Sequence, residues 1–138
     1  MKGALFYDDY GHHPTEISAV LDSLKEKYPD KKLHVIFQPH RYSRTRDCWN
    51  EFINCFTQCD ELYLLDIYAA GEMPIESISS AEMSSQINGV PVQYVEGSEP
   101  KKIVEQLRAV QRWKDGDVVL TLGAGSVSAI GDLLRESL

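Results

Sequence analysis

The chain has 138 residues, of which 43% are hydrophobic and 25% are charged, and this composition is that of one ordinary globular domain. Its 14 Lys and Arg against 21 Asp and Glu give a net charge of −7, which disfavours non-specific binding of nucleic acid or of an anionic membrane. No apolar run approaches the roughly 20 residues that cross a bilayer, and no secretory signal begins the chain, so we expect a cytoplasmic protein.

Short apolar runs alternate with segments of helical periodicity along the whole chain. The predicted strands are residues 4–7, 33–37, 62–65, 92–95 and 118–122. The predicted helices are residues 14–28, 45–58, a short one from 79, 103–110, and a last one from 126 to about 136. Because strand and helix alternate five times, we expect an α/β fold with a mostly parallel sheet of five or six strands, covered on both faces as a three-layer αβα sandwich.

Polar segments follow four of the predicted strands, at the carboxyl ends where parallel sheets bind their ligands. These segments are DDYGHHP (8–14), QPHRYSRTR (38–46), DIYAAGE (66–72) and GAGS (123–126). We therefore look for function at this edge of the sheet.

The segment after the second strand contains the densest basic cluster of this acidic chain, with His40, Arg41, Arg44 and Arg46. The planar guanidinium group matches a carboxylate or a phosphate with two hydrogen bonds. Basic residues are disfavoured at a helix N-terminus, where the dipole is already positive, so Arg41 and Arg44 one turn apart suggest an anion that offsets the repulsion. The alternative is a solvated helix start with structural ion pairs, which suits Arg46 better.

The segment after the first strand offers two histidines and two acids. His12 and His13 stand at a predicted helix start, and each could donate a proton, contact a ligand or be a satisfied loop histidine. Asp8 and Asp9 could bind ribose hydroxyls or assist Mg²⁺, or they could cap the loop and the helix. Zinc requires three or four ligands, and no recognised spacing is present, so we predict no metal site in this chain.

The GAG segment (123–125) precedes a helix, as a phosphate-binding loop does. It matches neither GxxxxGK[ST] nor GxGxxG, and a tight strand-to-helix turn explains it equally well. Because the chain contains no P-loop, it cannot by itself hold a nucleoside triphosphate in that way.

Four segments together resemble the C-terminal domain of the Mur ligase family, in its L-alanine-adding branch: DDYGHHPTEI (8–17), FQPHRYSRT (37–45), LLDIYAAGEMPI (64–75) and LTLGAG (120–125). The resemblance covers essentially the whole chain and implies one Rossmann-like domain over residues 1–138. It implies that an N-terminal UDP-sugar domain and a central domain for ATP and Mg²⁺ lie outside this chain, and that this domain alone is inactive. The implied reaction joins L-alanine to UDP-N-acetylmuramate through an acyl phosphate, in peptidoglycan synthesis and hence cell wall growth, shape and division.

The same resemblance implies site residues by their positions in this sequence. Tyr10, His12, Arg41 and Arg44 match positions at the L-alanine and intermediate site, and His40 sits beside them. One arginine is expected to bind the alanine carboxylate and the other to steady the phosphorylated intermediate, but which does which stays open. His12 is expected to orient the amine or to help remove its proton.

Other positions match the family less specifically. Asp9, with Asp8 possible in the same role, matches an acid that reaches the ATP ribose or its neighbourhood. Residues 68–72 match a loop facing the active cleft, without individual roles. Ser126 departs from the acidic residue expected after the GAG segment in many relatives, which puts a polar role there in doubt.

Three alternatives share part of the pattern. A tripeptide-recycling ligase of the same family shares the DD-aromatic-small-HHP start but differs after the second strand. A phosphorylation receiver domain would use Asp8, Asp9 and Asp66, but it lacks the required Ser or Thr after strand four and Lys after strand five. A stand-alone nucleotide-binding module without chemistry is the third.

Overall fold

The computed structural model describes residues 3–136, in which strands alternate with helices along the chain. The strands are β1 (Leu5–Asp9), β2 (Leu33–Phe37), β3 (Glu61–Leu65), β4 (Val92–Val95) and β5 (Val118–Leu122). They pair in parallel in the order β1-β5-β2-β3-β4. The predicted parallel α/β sheet is therefore confirmed, and of the five or six strands expected, the described residues form five.

Helices connect these strands and cover the sheet. They are α1 (Pro14–Lys27), α2 (Tyr42–Asp47), α3 (Trp49–Phe52), α4 (Ser80–Ser84), α5 (Pro100–Val110) and α6 (Val127–Glu136). Pro14 and Pro100 each begin a helix, where the missing N–H group costs no hydrogen bond. No helix within residues 3–136 is long and apolar enough to cross a membrane.

The central strands supply two hydrophobic layers, because successive residues of a strand point to opposite faces of the sheet. Val35 and Phe37 of β2 pack in one layer with residues of α1 and α3, whereas Ile36 between them packs in the other layer with residues of α5 and α6. Every residue of β2, β3 and β5 is buried. The three-layer αβα sandwich is therefore confirmed.

The strand order places β5 between β1 and β2. Helices α1 and α3, on the connections after β1 and β2, pack in one layer, and α6, which follows β5, packs in the other. After β5 the chain therefore turns to one face of the sheet, whereas after β1 and β2 it turns to the other face. These diverging connections leave a crevice at the carboxyl end of β5. Parallel α/β sheets bind their ligands at such switch points.

The predicted helix over residues 45–58 is wrong in its extent. The chain forms the shorter α2 and α3 instead, and Cys48 between them has φ −109° and ψ 20°, outside the helical region. Phe52 and Phe56 both pack against Phe37, with ring centroids 5.6 and 5.1 Å away. The apolar spacing that predicted one helix therefore arises because Phe52 and Phe56 share a core partner, Phe37. Two short helices and a turn bring both side chains to that partner as well.

Candidate functional site

The crevice at the carboxyl end of the sheet brings distant histidines together. The rings of His12, after β1, and His40, after β2, have centroids 6.1 Å apart, although β5 lies between their strands. Nη1 of Arg44 lies 3.4 Å from Nδ1 of His40. Three of the residues predicted at the substrate site are thus neighbours in the structure.

Tyr68, in the loop after β3, forms a further wall of this crevice. Its ring stacks on that of His40, with centroids 5.6 Å apart and an interplanar angle of 14°. The Tyr68 N–H donates to the Pro39 carbonyl, and the Tyr68 carbonyl accepts from the Arg41 N–H, both at 2.8 Å. The loop after β3 and the segment after β2 therefore form one hydrogen-bonded unit.

His40 lies in a positive environment. Partial burial lowers the pKa of its imidazole most, and the charges of Arg44, Arg41 and His12 lower this pKa further, while Glu72 opposes them. Arg41, which is exposed, therefore belongs to the same group of charges. We call His12, His40, Arg41 and Arg44 the cationic cluster, and its chemistry fits an anionic ligand.

The first turn of α1 holds the segment after β1 in place. Oε1 of Glu16 accepts from the N–H groups of His12 at 3.2 Å and His13 at 3.1 Å, and Nδ1 of His13 accepts from the Thr15 N–H at 3.2 Å. This is a capping box, so His13 has a structural role that needs no ligand. Tyr10 is 71% exposed at the same edge, and its carbonyl lies 3.2 Å from Nδ1 of His12.

Asp8 and Asp9 both accept hydrogen bonds from the chain itself. Oδ1 of Asp8 accepts from the Thr121 hydroxyl at 2.6 Å, and Oδ2 of Asp9 accepts from the Gly11 N–H at 2.8 Å. These contacts give both carboxylates a structural role, and contact with a ribose stays a prediction. Within the described residues, no group of three or more His, Cys, Asp or Glu side chains converges as metal ligands.

Close contacts explain the two glycines of the GAG segment. A Cβ at Gly123, whose φ is 151°, would lie 2.7 Å from the Gln38 carbonyl oxygen. A Cβ at Gly125 would lie 2.7 Å from Cγ of Tyr68 and 2.6 Å from Oε1 of Gln38. Ser126 accepts from the Gln38 side-chain amide at 3.0 Å. The segment is therefore a tight turn beneath the loops after β2 and β3, and its glycines need no phosphate to explain them.

The start of α2 is already occupied by a carboxylate of the chain. Oε1 of Glu72 accepts from the N–H groups of Tyr42 at 2.6 Å and Ser43 at 3.0 Å, and Oε2 accepts from the Ser43 hydroxyl. The anion that the arginines led us to expect at this helix start is thus supplied internally. Arg46 is exposed and pairs with Asp47 at 3.0 Å, as expected for a surface residue.

A cavity of about 720 Å³ extends from the crevice towards the ends of β3 and β4. Asp66 fixes one wall, because it accepts hydrogen bonds from the Tyr94 hydroxyl and, at 2.9 Å, from the Gly97 N–H. Tyr68 and Gln38 also line this cavity, whereas the cationic cluster lies outside its lining. Tyr68 therefore lies between His40 of the cationic cluster and this cavity, whose walls are rich in hydroxyl groups and include two acids.

The sequence reasoning did not select several residues of this cavity, which are Ser79, Ser80, Tyr94, Glu96, Gly97 and Ser98. Glu96, Gly97 and Ser98 directly follow β4. Applying the strand-end rule to the fourth strand, as to the other four, would have found them. The two serines at the start of α4 carry no comparable signal, because helix caps are ordinarily serine.

The strand order excludes the receiver-domain alternative. In a receiver the acids after strands one and three meet, because those strands are neighbours in the order 2-1-3-4-5. Here β5 and β2 lie between β1, which ends with Asp9, and β3, which precedes Asp66, so roughly 14 Å separates these two strands. The three acids therefore cannot form the receiver's phosphorylation site.

Comparison with known proteins gives a consistent assignment. The family model of the Mur ligase glutamate ligase domain matches residues 1–125. The chain is 46% identical over 132 residues to a UDP-N-acetylmuramate–L-alanine ligase of Bdellovibrio bacteriovorus, and 43% over 127 residues to a protein of that name from Aquifex aeolicus. These matches cover 94% and 92% of the chain but 28% and 26% of the two relatives. The chain thus spans little more than a quarter of their length.

Solved structures show the same fold. A UDP-N-acetylmuramate–alanine ligase of Thermotoga maritima superposes with a TM-score of 0.68 at 24% identity, over 96% of this chain and 26% of the other. A domain of a ligase from Haemophilus ducreyi superposes with a TM-score of 0.64 at 20% identity, over 96% of this chain and 89% of that domain. At these identities the likeness concerns the fold alone.

Proposed function

Because this chain belongs to the Mur ligase family, we propose that it is the C-terminal, amino-acid-binding domain of a ligase that joins L-alanine to UDP-N-acetylmuramate. The observation that carries the proposal is the cationic cluster, which gathers at the switch point of the sheet from segments that β5 separates. In this proposal a UDP-sugar domain and a central ATP-binding domain complete the enzyme. The reaction would take place in the cytoplasm, where ATP is available.

The cluster suits a small zwitterion and an activated sugar acid. One of Arg41 and Arg44 binds the alanine carboxylate, and the other steadies the negative charge of the acyl phosphate. Tyr10 and His40 complete the walls of this site. Nδ1 of His12 faces two acceptors, the Tyr10 carbonyl at 3.2 Å and Glu16 at 4.0 Å, which favours a proton on that nitrogen. Nε2 is then the nitrogen that orients the amine or accepts its proton.

Two steps make up the proposed reaction. The UDP-muramate carboxylate first attacks the γ-phosphorus of ATP, and the bond to the β-phosphate oxygen breaks, which releases ADP. The alanine amine then attacks the acyl carbonyl carbon. A C–N bond forms, the C–O bond to phosphate breaks with its electrons going to phosphate, and the amine loses a proton towards His12. Both steps gather negative charge, which cationic residues stabilise.

The described residues do not fit a Mg²⁺ or triphosphate site of their own. Gly123 and Gly125 are covered by Gln38 and Tyr68, and no metal-ligand cluster forms within residues 3–136. We therefore assign ATP and Mg²⁺ to the central domain. Asp9, or the exposed Asp8, stays the proposed contact to the ATP ribose.

The two sequence relatives described above, at 46% and 43% identity, carry the L-alanine name, which disfavours the tripeptide-recycling alternative; the tripeptide ligase domain from Haemophilus ducreyi shares the fold at 20% identity. A binding module without chemistry is disfavoured for the same reason. We expect the chain by itself to release no phosphate from ATP, with or without L-alanine and UDP-N-acetylmuramate, because half of the site is elsewhere. Phosphate release by the purified chain would contradict this division of the site.

The decisive experiment measures alanine kinetics in the complete ligase that carries this domain. Arg41→Ala and Arg44→Ala each remove a charged hydrogen-bonding group worth about 1.5–3 kcal/mol. The alanine KM should therefore rise, or kcat/KM for alanine should fall, roughly 10- to 150-fold. Arg46→Ala, at the exposed pair with Asp47, is the matched control and should leave both unchanged. An alanine KM that neither Arg41→Ala nor Arg44→Ala alters would refute the carboxylate role.

A further inference from the structure

Glu72 stands at the junction between the loop after β3 and the helix that carries the arginines. It accepts three hydrogen bonds from Tyr42 and Ser43, although 30 and 29 residues separate it from them in sequence. Helix α2 has no side-chain cap of its own and no acid in its first turn. Glu72 therefore supplies the negative charge and the acceptors that this helix start otherwise lacks.

The backbone of the loop is shaped to deliver this carboxylate. Ala70 and Gly71 both have positive φ, 53° and 90°, and the Glu72 N–H donates to the Ala69 carbonyl at 3.0 Å, which closes a turn. The same loop accepts the Arg41 N–H through the Tyr68 carbonyl. The loop thus holds residues 41–43 at two points, through the Arg41 N–H group and through the N–H groups of Tyr42 and Ser43.

Arg41 itself needs such support. Its φ of 74° and ψ of 140° lie in a sparsely populated, glycine-favouring region of backbone space, which costs a non-glycine residue roughly 1–3 kcal/mol. Its carbonyl accepts from the Thr45 N–H at 3.3 Å and from the Thr45 hydroxyl at 2.7 Å. Together with the hydrogen bond from the Arg41 N–H to the Tyr68 carbonyl, these contacts hold the backbone on both sides of Arg41. The carboxylate of Glu72 accepts hydrogen bonds from the next two residues, Tyr42 and Ser43, which keeps the turn after Arg41 in place.

Glu72 also acts on the cluster through its charge. Hydrogen bonds from the Ser43 side chain, then from the backbone, together with the charge of Arg41, lower its pKa and keep it ionised. Arg44, Arg41 and His12 lower the His40 pKa through their positive charges, and the negative charge of Glu72 opposes them.

We propose that Glu72 is a positioning residue, which sets the placement of Arg41 and Arg44 for a carboxylate ligand by anchoring the start of α2. The proposal rests on the proposed function for the identity of that ligand. Glu72 itself does not touch substrate in this account. Its carboxylate oxygens accept hydrogen bonds from Tyr42 and Ser43. It would affect ligand binding only by fixing the positions of the two guanidinium groups.

The first test uses the chain of 138 residues and nuclear magnetic resonance. Glu72→Gln keeps the size of the side chain but removes its charge and one acceptor oxygen. We expect the His40 pKa to fall because the negative charge of Glu72 is lost, and the Arg44 guanidinium ¹⁵N signals to move because the helix start loses its anchor. Glu76→Gln, an exposed acid four positions further along, is the matched control and should change neither.

The second test uses the complete ligase. Glu72→Gln should raise the alanine KM about tenfold or more, with a smaller effect on kcat and none on the ATP KM, because misplaced arginines weaken carboxylate binding. Should Glu72→Gln fold poorly, Ser43→Ala removes one of the three donors and should produce the same changes to a smaller extent.

The outcomes separate this proposal from the proposed function. A folded Glu72→Gln protein with wild-type His40 titration, Arg44 signals and alanine KM would overturn the positioning role. If the wild-type complete protein showed no alanine-dependent phosphate release, the proposed function would fail, and the magnetic resonance signals would still decide whether Glu72 places the arginines.

Discussion

Arg41 combines a strained backbone with an exposed, positively charged side chain. Glycine would adopt its φ of 74° without cost, yet the position holds a long cation that is exposed beside His40. A residue held in a disfavoured conformation by its surroundings is typical of functional sites, where the strain fixes a side chain in place. This observation supports the proposed substrate role of Arg41 independently of the sequence motif.

Gly125 shows how closely the turn after β5 is packed. We expect Gly125→Ala to lower the free energy of unfolding by about 1–3 kcal/mol, because the added methyl group would overlap the Tyr68 ring and the Gln38 side chain. Urea unfolding of the chain measures this. In a Tyr68→Ala background the same substitution should cost less, and strictly additive losses would show that the Tyr68 contact is not the cause.

Single residues differ in how far the sequence predicts them. Arg41, Arg44, His12 and His40 stand in segments whose composition and position after strands already indicate a site. The role of Glu72 could not be predicted, because its partners are 29 and 30 residues away and only the folded loop brings them into contact.

At the scale of elements, the start of α1 links stability to the site. Glu16 accepts the N–H groups of His12 and His13, so the cap of the helix also holds the segment that carries the candidate base. The order of side chains in a capping box is visible in sequence as a polar residue followed three positions later by an acid. Here histidine takes the place of the usual serine or threonine, which left its role open until the fold was known.

We expect Glu16→Ala to destabilise the chain by about 1 kcal/mol, because two backbone donors at the helix start lose their acceptor. Thermal or urea unfolding measures this loss. Glu26→Ala, an exposed acid in the last turn of the same helix, should change stability by less than about 0.5 kcal/mol. Equal effects of the two substitutions would show that the cap contributes nothing.

The helices α2 and α3 show where element prediction fails. Local periodicity predicts one helix, because it records which residues face the core and not whether the backbone between them is continuous. The break at Cys48 is a change in backbone angles that apolar spacing does not record, and so only the structure revealed it.

At the scale of the whole molecule, a buried polar group joins the strands at the edge opposite the candidate site. Nε2 of His34, which is 1% exposed, lies 3.1 Å from Oδ2 of Asp117, and its Nδ1 lies 3.4 Å from the Tyr63 hydroxyl. Burial lowers the pKa of His34 below its ordinary 6.5, against the opposing effect of Asp117. His34 lies inside the strand predicted over residues 33–37, and its side chain is buried there.

This burial predicts a pH dependence of stability. The unfolded chain binds a proton at His34 more readily than the folded chain, so the stability present above pH 6.5 should be lost as the pH falls towards the folded-state pKa. Urea unfolding between pH 5 and 8 measures this. His34→Gln should flatten the decline between pH 6.5 and 5, and an unchanged decline would assign it to other groups.

The sequence by itself determined the α/β class, the number and approximate positions of the strands, and the edge where function is expected, because hydrophobic periodicity and polar strand ends are local properties of the chain. The first strand was predicted over residues 4–7, whereas β1 extends to Asp9, because Asp8 and Asp9 pair with residues of β5. Only the tertiary structure decided the strand order, which excludes a receiver domain and sets His12 against His40 across β5. It also decided that the anion at the start of α2 is Glu72. Strand order and long-range contacts depend on which distant segments pack together, and no local pattern records that choice.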